Sequence, residues 1–459
     1  MSIHKFTDIR IPISEANPSI IRHEERCIKC GACKRICEGD IAVGRLYDLE
    51  STGDEPICIH CGQCANVCPP DSITERYEYK DVKQAILDSE KIVVFNTSPS
   101  VRVGIGEEFN YAPGTFLQGK MVAALRALGA DYVLDTNFAA DLTIMEEAAE
   151  LVERIVNKTK PLPQFTSCCP AWVKFCETFY PAILPHISTV KSPIGMQGPT
   201  VKTYFAKQNG IDPRQIVNVA VTPCTAKKFE IRRDEMSDAG KDINVLGMRD
   251  MDHVITTREL ALWLKEEGID FNSLDDSNYD CTMGAASGSG VIFGNTGGVM
   301  EAAARTAYYN ITGQNPGGDY LSLLAVRGMD GIRGAVIDIA GTPVRVAVAH
   351  GIDNAKKIVD DVVAGKIEYD FVEVMACRGG CIGGGGQPKT EIPMSDEIRG
   401  ARIGALYTKD GAMALRYSHE NPDIVAVYER HYEKPLSELA ERLLHTSYCD
   451  RSGDLNAKR

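Results

Sequence analysis

The chain has 459 residues, a formal net charge of −13, 44% apolar and 25% charged residues. That is enough for two or three domains with substantial cores, in proportions ordinary for a globular protein. The acidic balance argues against a general nucleic-acid binder, and no uncharged apolar run reaches the roughly eighteen residues of a membrane span.

In chain order, the N-terminus (MSIHKFTDIRIPI) lacks the basic-then-apolar pattern of a secretory signal and has no twin arginine. The expected location is the cytoplasm, with neither nucleic acid nor membrane as partner. The chain holds sixteen cysteines, eight of them between Cys27 and Cys68. Without an export signal, such a cluster points to metal ligation before disulfides.

CIKCGACKRIC (Cys27, Cys30, Cys33, Cys37) is followed by CIHCGQCANVCP (Cys58, Cys61, Cys64, Cys68, then Pro69), the same spacing twice and so an internal duplication. The C-x2-C-x2-C-x3-C run is the bacterial two-cluster ferredoxin pattern, in which the fourth cysteine of each run ligates the other cluster. Cys27, Cys30, Cys33 and Cys68 are expected to hold one [4Fe–4S] cubane, and Cys58, Cys61, Cys64 and Cys37 the second. Zinc knuckles are the weaker alternative, because zinc takes four ligands in two pairs. Glu38 replaces the proline expected after the first run. Arg22, Arg26, Lys29, Lys34 and Arg35 make a basic patch there, either a steering surface for an acidic redox partner or an ordinary solvated face.

From Lys91 the texture changes. KIVVFNTSPSV predicts a strand, KMVAALRALG a helix ending at Gly129, and DYVLDT another strand. DLTIMEEAAELVERI has helical spacing, TTRELALWLKEEG opens on a capping box from Thr256 to Glu259, and PVRVAVAHG then NAKKIVDDVVAGK repeats the alternation. Such alternation predicts sheets with helices on both faces.

Three apolar runs end in cysteine: FTSCCPAW (Cys168, Cys169), VNVAVTPCTAKKFE (Cys224) and FVEVMACRGGC (Cys377, Cys381). As strands, they put all three groups at carboxyl ends, where open α/β sheets bind ligands. Scattered buried thiols are the bland alternative. That suits Cys176, and extends to Cys281 and Cys449. A helical turn from Cys377 would place Cys381 on the same face. Gly383 to Gly386 would clear room for a bulky inorganic centre.

With TSCCPAW, TPCTAKKFE and EVMACRGGCIGGGGQP in order, the chain resembles the [FeFe]-hydrogenases over nearly its whole length. Its end, RYSHENP to LLHTSY, resembles the family's small-subunit segment. The resemblance implies a 2[4Fe–4S] ferredoxin-like α+β domain over 1–85. An α/β catalytic domain of two lobes with parallel or mixed sheets would follow over 86–390, and a helical tail over 391–459.

It further implies an H-cluster: a cubane on Cys169, Cys224, Cys377 and Cys381, joined through Cys381 to a two-iron unit with CO, cyanide and an azadithiolate bridge. Lys227, Thr222, Pro223, Ala226, Met375, Phe293, Ser167 and Gln197 are the expected surroundings of that unit. Cys168 matches the thiol that exchanges protons with it, followed by Glu147, Ser188, Glu150 and Arg154. Glu147, Glu150 and Arg154 share one helical face, a spacing that also fits a surface salt-bridge ladder.

The implied activity is reversible H2 oxidation and proton reduction, with ferredoxin or flavodoxin as carrier and maturation proteins for the diiron unit. The sequence departs from the commonest pattern at Thr222 (usually methionine), Ala226 (serine) and Ala171 (glycine). From Thr222 an altered balance of oxidation and production is expected, leaning toward uptake. The rivals are a non-catalytic iron–sulfur assembly protein and an H2 sensor, the latter without a recognisable output domain.

Overall fold

The computed structural model describes residues 8–339 and 341–456, so the first seven residues of the stretch examined for an export signal lie outside it. Strand β1 (Ile20–Arg22) pairs antiparallel with β2 (Ile73–Glu75), Ile20 opposite Glu75 and Arg22 opposite Ile73. Between them the two cysteine runs enter the short helices Ala32–Glu38 and Gln63–Asn66. Each helix is preceded by a left-handed glycine, Gly31 at φ 72° and Gly62 at φ 69°, a conformation that costs any other residue strain. The duplicated sequence has folded into a duplicated turn. Ile11, Ile20, Ala65 and Ile73 pack with Cys33 and Cys68, while Ile41, Val43, Tyr47 and Ile59 join the larger apolar cluster around the mixed sheet.

Among the described residues eight strands follow: β3 (Ile92–Thr97), β4 (Tyr132–Asp135), β5 (Gln164–Phe165), β6 (Ile216–Thr222), β7 (His253–Thr256), β8 (Ile332–Ile339), β9 (Thr342–His350) and β10 (Phe371–Met375). They form two four-stranded sheets, β4-β3-β6-β7 and β5-β10-β9-β8. The first is parallel throughout. The second is mixed, because β8 runs antiparallel to β9.

The helices fall where apolar periodicity placed them: Gln118–Ala127, Thr136–Val156, Thr257–Glu266 and Ile352–Val363. Both halves of the predicted capping box are formed, Thr256 Oγ1 accepting from the Glu259 amide and Glu259 Oε2 from the Thr256 amide. Among the described residues no helix is long and apolar enough to cross a membrane.

The C-terminal helix Pro422–Val427 packs against Thr136–Val156 and Glu438–Leu444 against the helix Pro193–Thr200, within one apolar cluster that holds Phe138, Leu142, Ile424, Val427 and Leu443. Buried Glu146 of the long helix accepts from Tyr428 Oη at 2.5 Å and the Leu436 amide at 2.8 Å. The long helix, which carries Glu147 and Glu150, is thus clamped from behind by the end of the chain.

Candidate active site between the two sheets

Strands β5, β6 and β10 all end at one cavity. Cys224 reaches it from the parallel sheet; Cys169, Cys377 and Cys381 reach it from the mixed one. Proline shapes two of these exits. Pro170 opens the helix Pro170–Phe179 directly after Cys169, and Pro223 ends β6 one residue before Cys224.

The third exit differs from the expected helical turn. Gly379 and Gly380 take φ 80° and 95°, which swings the chain back before Cys381 starts a single 3-10 turn. A side chain on Gly380 would also meet the Thr296 amide at 2.6 Å. The glycine run needs a second correction, because it mostly lies against protein. A Cβ on Gly384 would stand 2.3 Å from Pro223 O, on Gly385 2.2 Å from Cys61 O, and on Gly386 2.5 Å from Thr256 Cβ. The glycines let this loop press into the second ferredoxin run and the end of β6.

Burial pushes the thiols of all four convergent cysteines up, that of Cys224 to about 11. Donors nonetheless face them: the Ala376 amide is 3.4 Å from Cys169 Sγ, and the Ala226 and Lys227 amides point at Cys224. Buried thiols with sulfur-directed donors suit a positive metal centre that takes the proton's place. Among the described residues no three His, Cys, Asp or Glu side chains draw close enough to share a single ion. The cavity fits a broader body, as a cubane with an attached unit is. A second cavity is lined by Cys37 together with Cys58, Cys61 and Cys64, the crossed set that the repeat predicts.

Thr222, Pro223, Lys227, Phe293 and Met375 also line the main cavity. Lys227 is buried and donates to Cys168 O at 3.2 Å and Glu230 Oε2 at 2.8 Å, so it is no surface lysine. Three expected residues lie outside the lining. Ser167 turns its hydroxyl to Val190 O. Gln197 donates to Asn96 Oδ1 at 2.9 Å. Ala226 packs its methyl in the core and offers only its amide. Cys176 is buried as expected, whereas Cys281 and Cys449 are exposed.

Cys168 lines the cavity beside Cys169, and Glu147 is its foremost charged neighbour. Glu147 is buried, no side chain hydrogen-bonds its carboxylate, and the Ser167 amide is the donor that faces it. Burial first, then the charges of Glu150 and Glu373, push its pKa up to about 8. Beyond it, Ser188 Oγ donates to Glu150 Oε2 at 2.6 Å. Glu150 is buried too, yet Arg154 and Lys160 hold its carboxyl below the usual carboxylate range.

These residues are no surface ladder. Arg154 is 1% exposed, and its donors go to Glu150 Oε1 at 2.7 Å and to the carbonyls of Pro161, Pro185, His186 and Ile187. A saturated, permanently charged guanidinium orients the carboxylate and passes no proton on. The group that reaches solvent is Lys160, its Nζ 2.9 Å from Glu150 Oε1 and its side chain 39% exposed. Sequence spacing missed it because it comes from the loop after the helix.

Comparison with known proteins agrees with this geometry. Residues 91–385 match the family described as iron only hydrogenase large subunit, C-terminal domain. Residues 396–451 match the iron hydrogenase small subunit, and 19–69 a 4Fe-4S dicluster domain. The chain belongs to the iron-only, or [FeFe]-, hydrogenase family. It is an oxidoreductase acting on H2, with [4Fe–4S] clusters and an H-cluster as cofactors.

The NADP-reducing hydrogenase subunit HndD of Solidesulfovibrio fructosivorans is 42% identical over 95% of this chain and 76% of that protein. A periplasmic [Fe] hydrogenase large subunit of Nitratidesulfovibrio vulgaris is 44% identical over 83% and 90%. A solved structure of the [FeFe]-hydrogenase HydA(deltaEFG) superposes with TM-score 0.70 at 41% identity, covering 81% of this chain and 99% of that one. More distant is cytosolic iron-sulfur assembly component 3 of Bos taurus, 32% identical over 80% and 76%.

Proposed function

We propose that this chain catalyses 2H+ + 2e− ⇌ H2 in both directions, exchanging electrons with a soluble ferredoxin or flavodoxin through its two N-terminal clusters. The observation that carries this is the meeting of Cys169, Cys224, Cys377 and Cys381 with Cys168 and Lys227 in one cavity. The four cysteines hold the H-cluster, which when bound supplies the redox chemistry of H2 itself. Met375 and Phe293 keep water from the cavity. Lys227 offers a buried ammonium to an anionic ligand, a charge-assisted contact strengthened where water is excluded. Cys168 holds a proton at Sγ and trades it with the Glu147 carboxyl. Ser188 passes it to Glu150 Oε2, and Lys160 exchanges it with solvent at Oε1.

An acidic carrier has an entry point where Arg26, Lys29 and Arg35 are exposed beside exposed Cys30. Dedicated maturation proteins supply the diiron unit, the chain works in the cytoplasm, and Thr222 tilts the balance toward uptake. The division into 1–85, 86–390 and 391–459 belongs to the same proposal.

The assembly-protein relatives make a non-catalytic role the second reading. A proton-bearing Cys168 next to a buried Glu147 serves no purpose there. Infrared spectra after maturation decide, with CO and cyanide bands expected for a hydrogenase and absent for an assembly factor. Dye-driven H2 evolution is expected to fall at least about a hundredfold in Cys168→Ser, the lower range for loss of a general acid–base group. Undiminished turnover in that variant would remove the proton role.

A further inference from the structure

Gln63 lies inside the second ferredoxin run, between Cys61 and Cys64, but its side chain leaves that run for the other site. Its Nε2 stands 2.8 Å from Gly383 O and 3.2 Å from Cys377 Sγ. The amide's orientation follows from the carbonyl, which only accepts, so the NH2 end must face it. One N–H is spent on Gly383 and the other falls to the sulfur, while Oε1 faces Asn66 Nδ2 at 3.5 Å. Gln63 is buried, so no water competes for these contacts.

The surrounding backbone holds the amide in place. Asn66 Nδ2 donates to Gly384 O at 3.0 Å, and Thr225 Oγ1 to His60 O at 2.7 Å. A Cβ on Gly62 would collide with Thr225 Oγ1 at 2.3 Å. Two cysteine loops from distant parts of the chain are therefore locked together, and one side chain of the first donates to a ligand sulfur of the second.

We propose that Gln63 is a positioning residue for electron transfer that raises the reduction potential of the four-iron centre on Cys377 and fixes its distance from the centre on Cys37, Cys58, Cys61 and Cys64. The inference rests on Cys377 being a ligand of that centre. A reduced cluster puts more negative charge on its thiolates, so a buried N–H donor favours the reduced state. Hydrogen bonds to ligand sulfurs are a recognised control on cluster potential.

The test is a potentiometric EPR titration of the full chain produced without diiron maturation proteins, comparing wild type, Gln63→Met and Thr225→Val. Gln63→Met keeps the length and loses the donor. It is expected to shift the reduction equilibrium of the active-site cubane about tenfold toward the oxidised form, ~59 mV lower for one electron. Thr225→Val removes the loop-to-loop hydrogen bond to His60 O without touching Gln63 or a sulfur and is expected to leave that potential in place. If Gln63→Met assembles poorly, Gln63→Asn, too short to reach Cys377, replaces it with the same expected fall. An unchanged potential in the Gln63 variant, or an equal fall in Thr225→Val, overturns the inference. A wild-type protein with only two four-iron centres removes the premise that Cys377 is a ligand, and the inference with it.

Discussion

Glu150 is held between a buried hydroxyl and an ammonium that reaches solvent, with Ser188 Oγ 2.6 Å from one carboxylate oxygen and Lys160 Nζ 2.9 Å from the other. The side chain of Lys160 is 39% exposed, which makes this the point where the proposed proton path meets water. Lys160→Met removes the exchanging group and leaves Arg154 to hold Glu150. Steady-state H2 evolution and uptake are both expected to drop roughly tenfold, with a larger solvent isotope effect, at the weaker end of what a proton-transfer group contributes. Equal rates in the variant would place the exit elsewhere.

Glu147 offers a prediction in which stability and activity part company. Its folded pKa of about 8 lies above the ordinary 4.5, so the native state favours the neutral acid. The stability this group contributes is complete below the unfolded pKa and is lost as pH climbs from about 4.5 through about 8. Glu147→Gln imitates the neutral form at every pH. Its Tm is expected to match the wild type near pH 4.5 and to exceed it increasingly up to pH 9. Turnover is expected to fall at least about a hundredfold, since an amide cannot relay a proton. A variant destabilised at pH 9 would show that the carboxylate is paired in the fold.

Much of this was legible beforehand, for reasons the structure makes clear. Thiolate spacing is a local code, so the crossed set of Cys37 with Cys58, Cys61 and Cys64 followed from the repeat alone. Strand-then-cysteine runs gave the convergence at the ends of β5, β6 and β10, because parallel strands deliver their carboxyl ends to one side. What stayed hidden depends on which backbone presses on which. The glycine run reads as space for a cofactor, and only coordinates show Gly385 against Cys61 O. Gln63 looks like a spacer within its motif. The resemblance put Arg154 at the end of the relay, although it is buried and saturated by Glu150 and four carbonyls, and Lys160 comes from a loop with no periodicity to mark it.

Removing iron is expected to affect the two parts of the chain unequally. Around the N-terminal cysteines the local apolar cluster is only Ile11, Ile20, Ala65 and Ile73, with Ile41, Val43, Tyr47 and Ile59 leaning on the core of the mixed sheet, whereas the sheets carry large cores of their own. Metal binding free energy is folding free energy where a preformed core is small. Chelation under reducing conditions should strip amide exchange protection from 20–75 and leave that of β3 and β6 largely intact. Uniform loss across both would show that the sheets too depend on the clusters.

Thr222 closes β6 opposite Thr256, is buried, and lines the cavity one residue before Pro223. A hydroxyl at that wall is polar and short, and a thioether is longer, softer and without a donor. Thr222→Met changes both the polarity facing the diiron unit and the space around it, contacts that tune a metal centre without ligating it. The ratio of H2 oxidation to H2 production, measured on one electrode film at fixed pH, is expected to fall severalfold, and the CO and cyanide infrared bands to shift. Overpacking alone would slow both directions by the same factor, so the ratio is what identifies the effect. A ratio equal to that of the wild type, with bands unmoved, would separate Thr222 from the catalytic balance altogether.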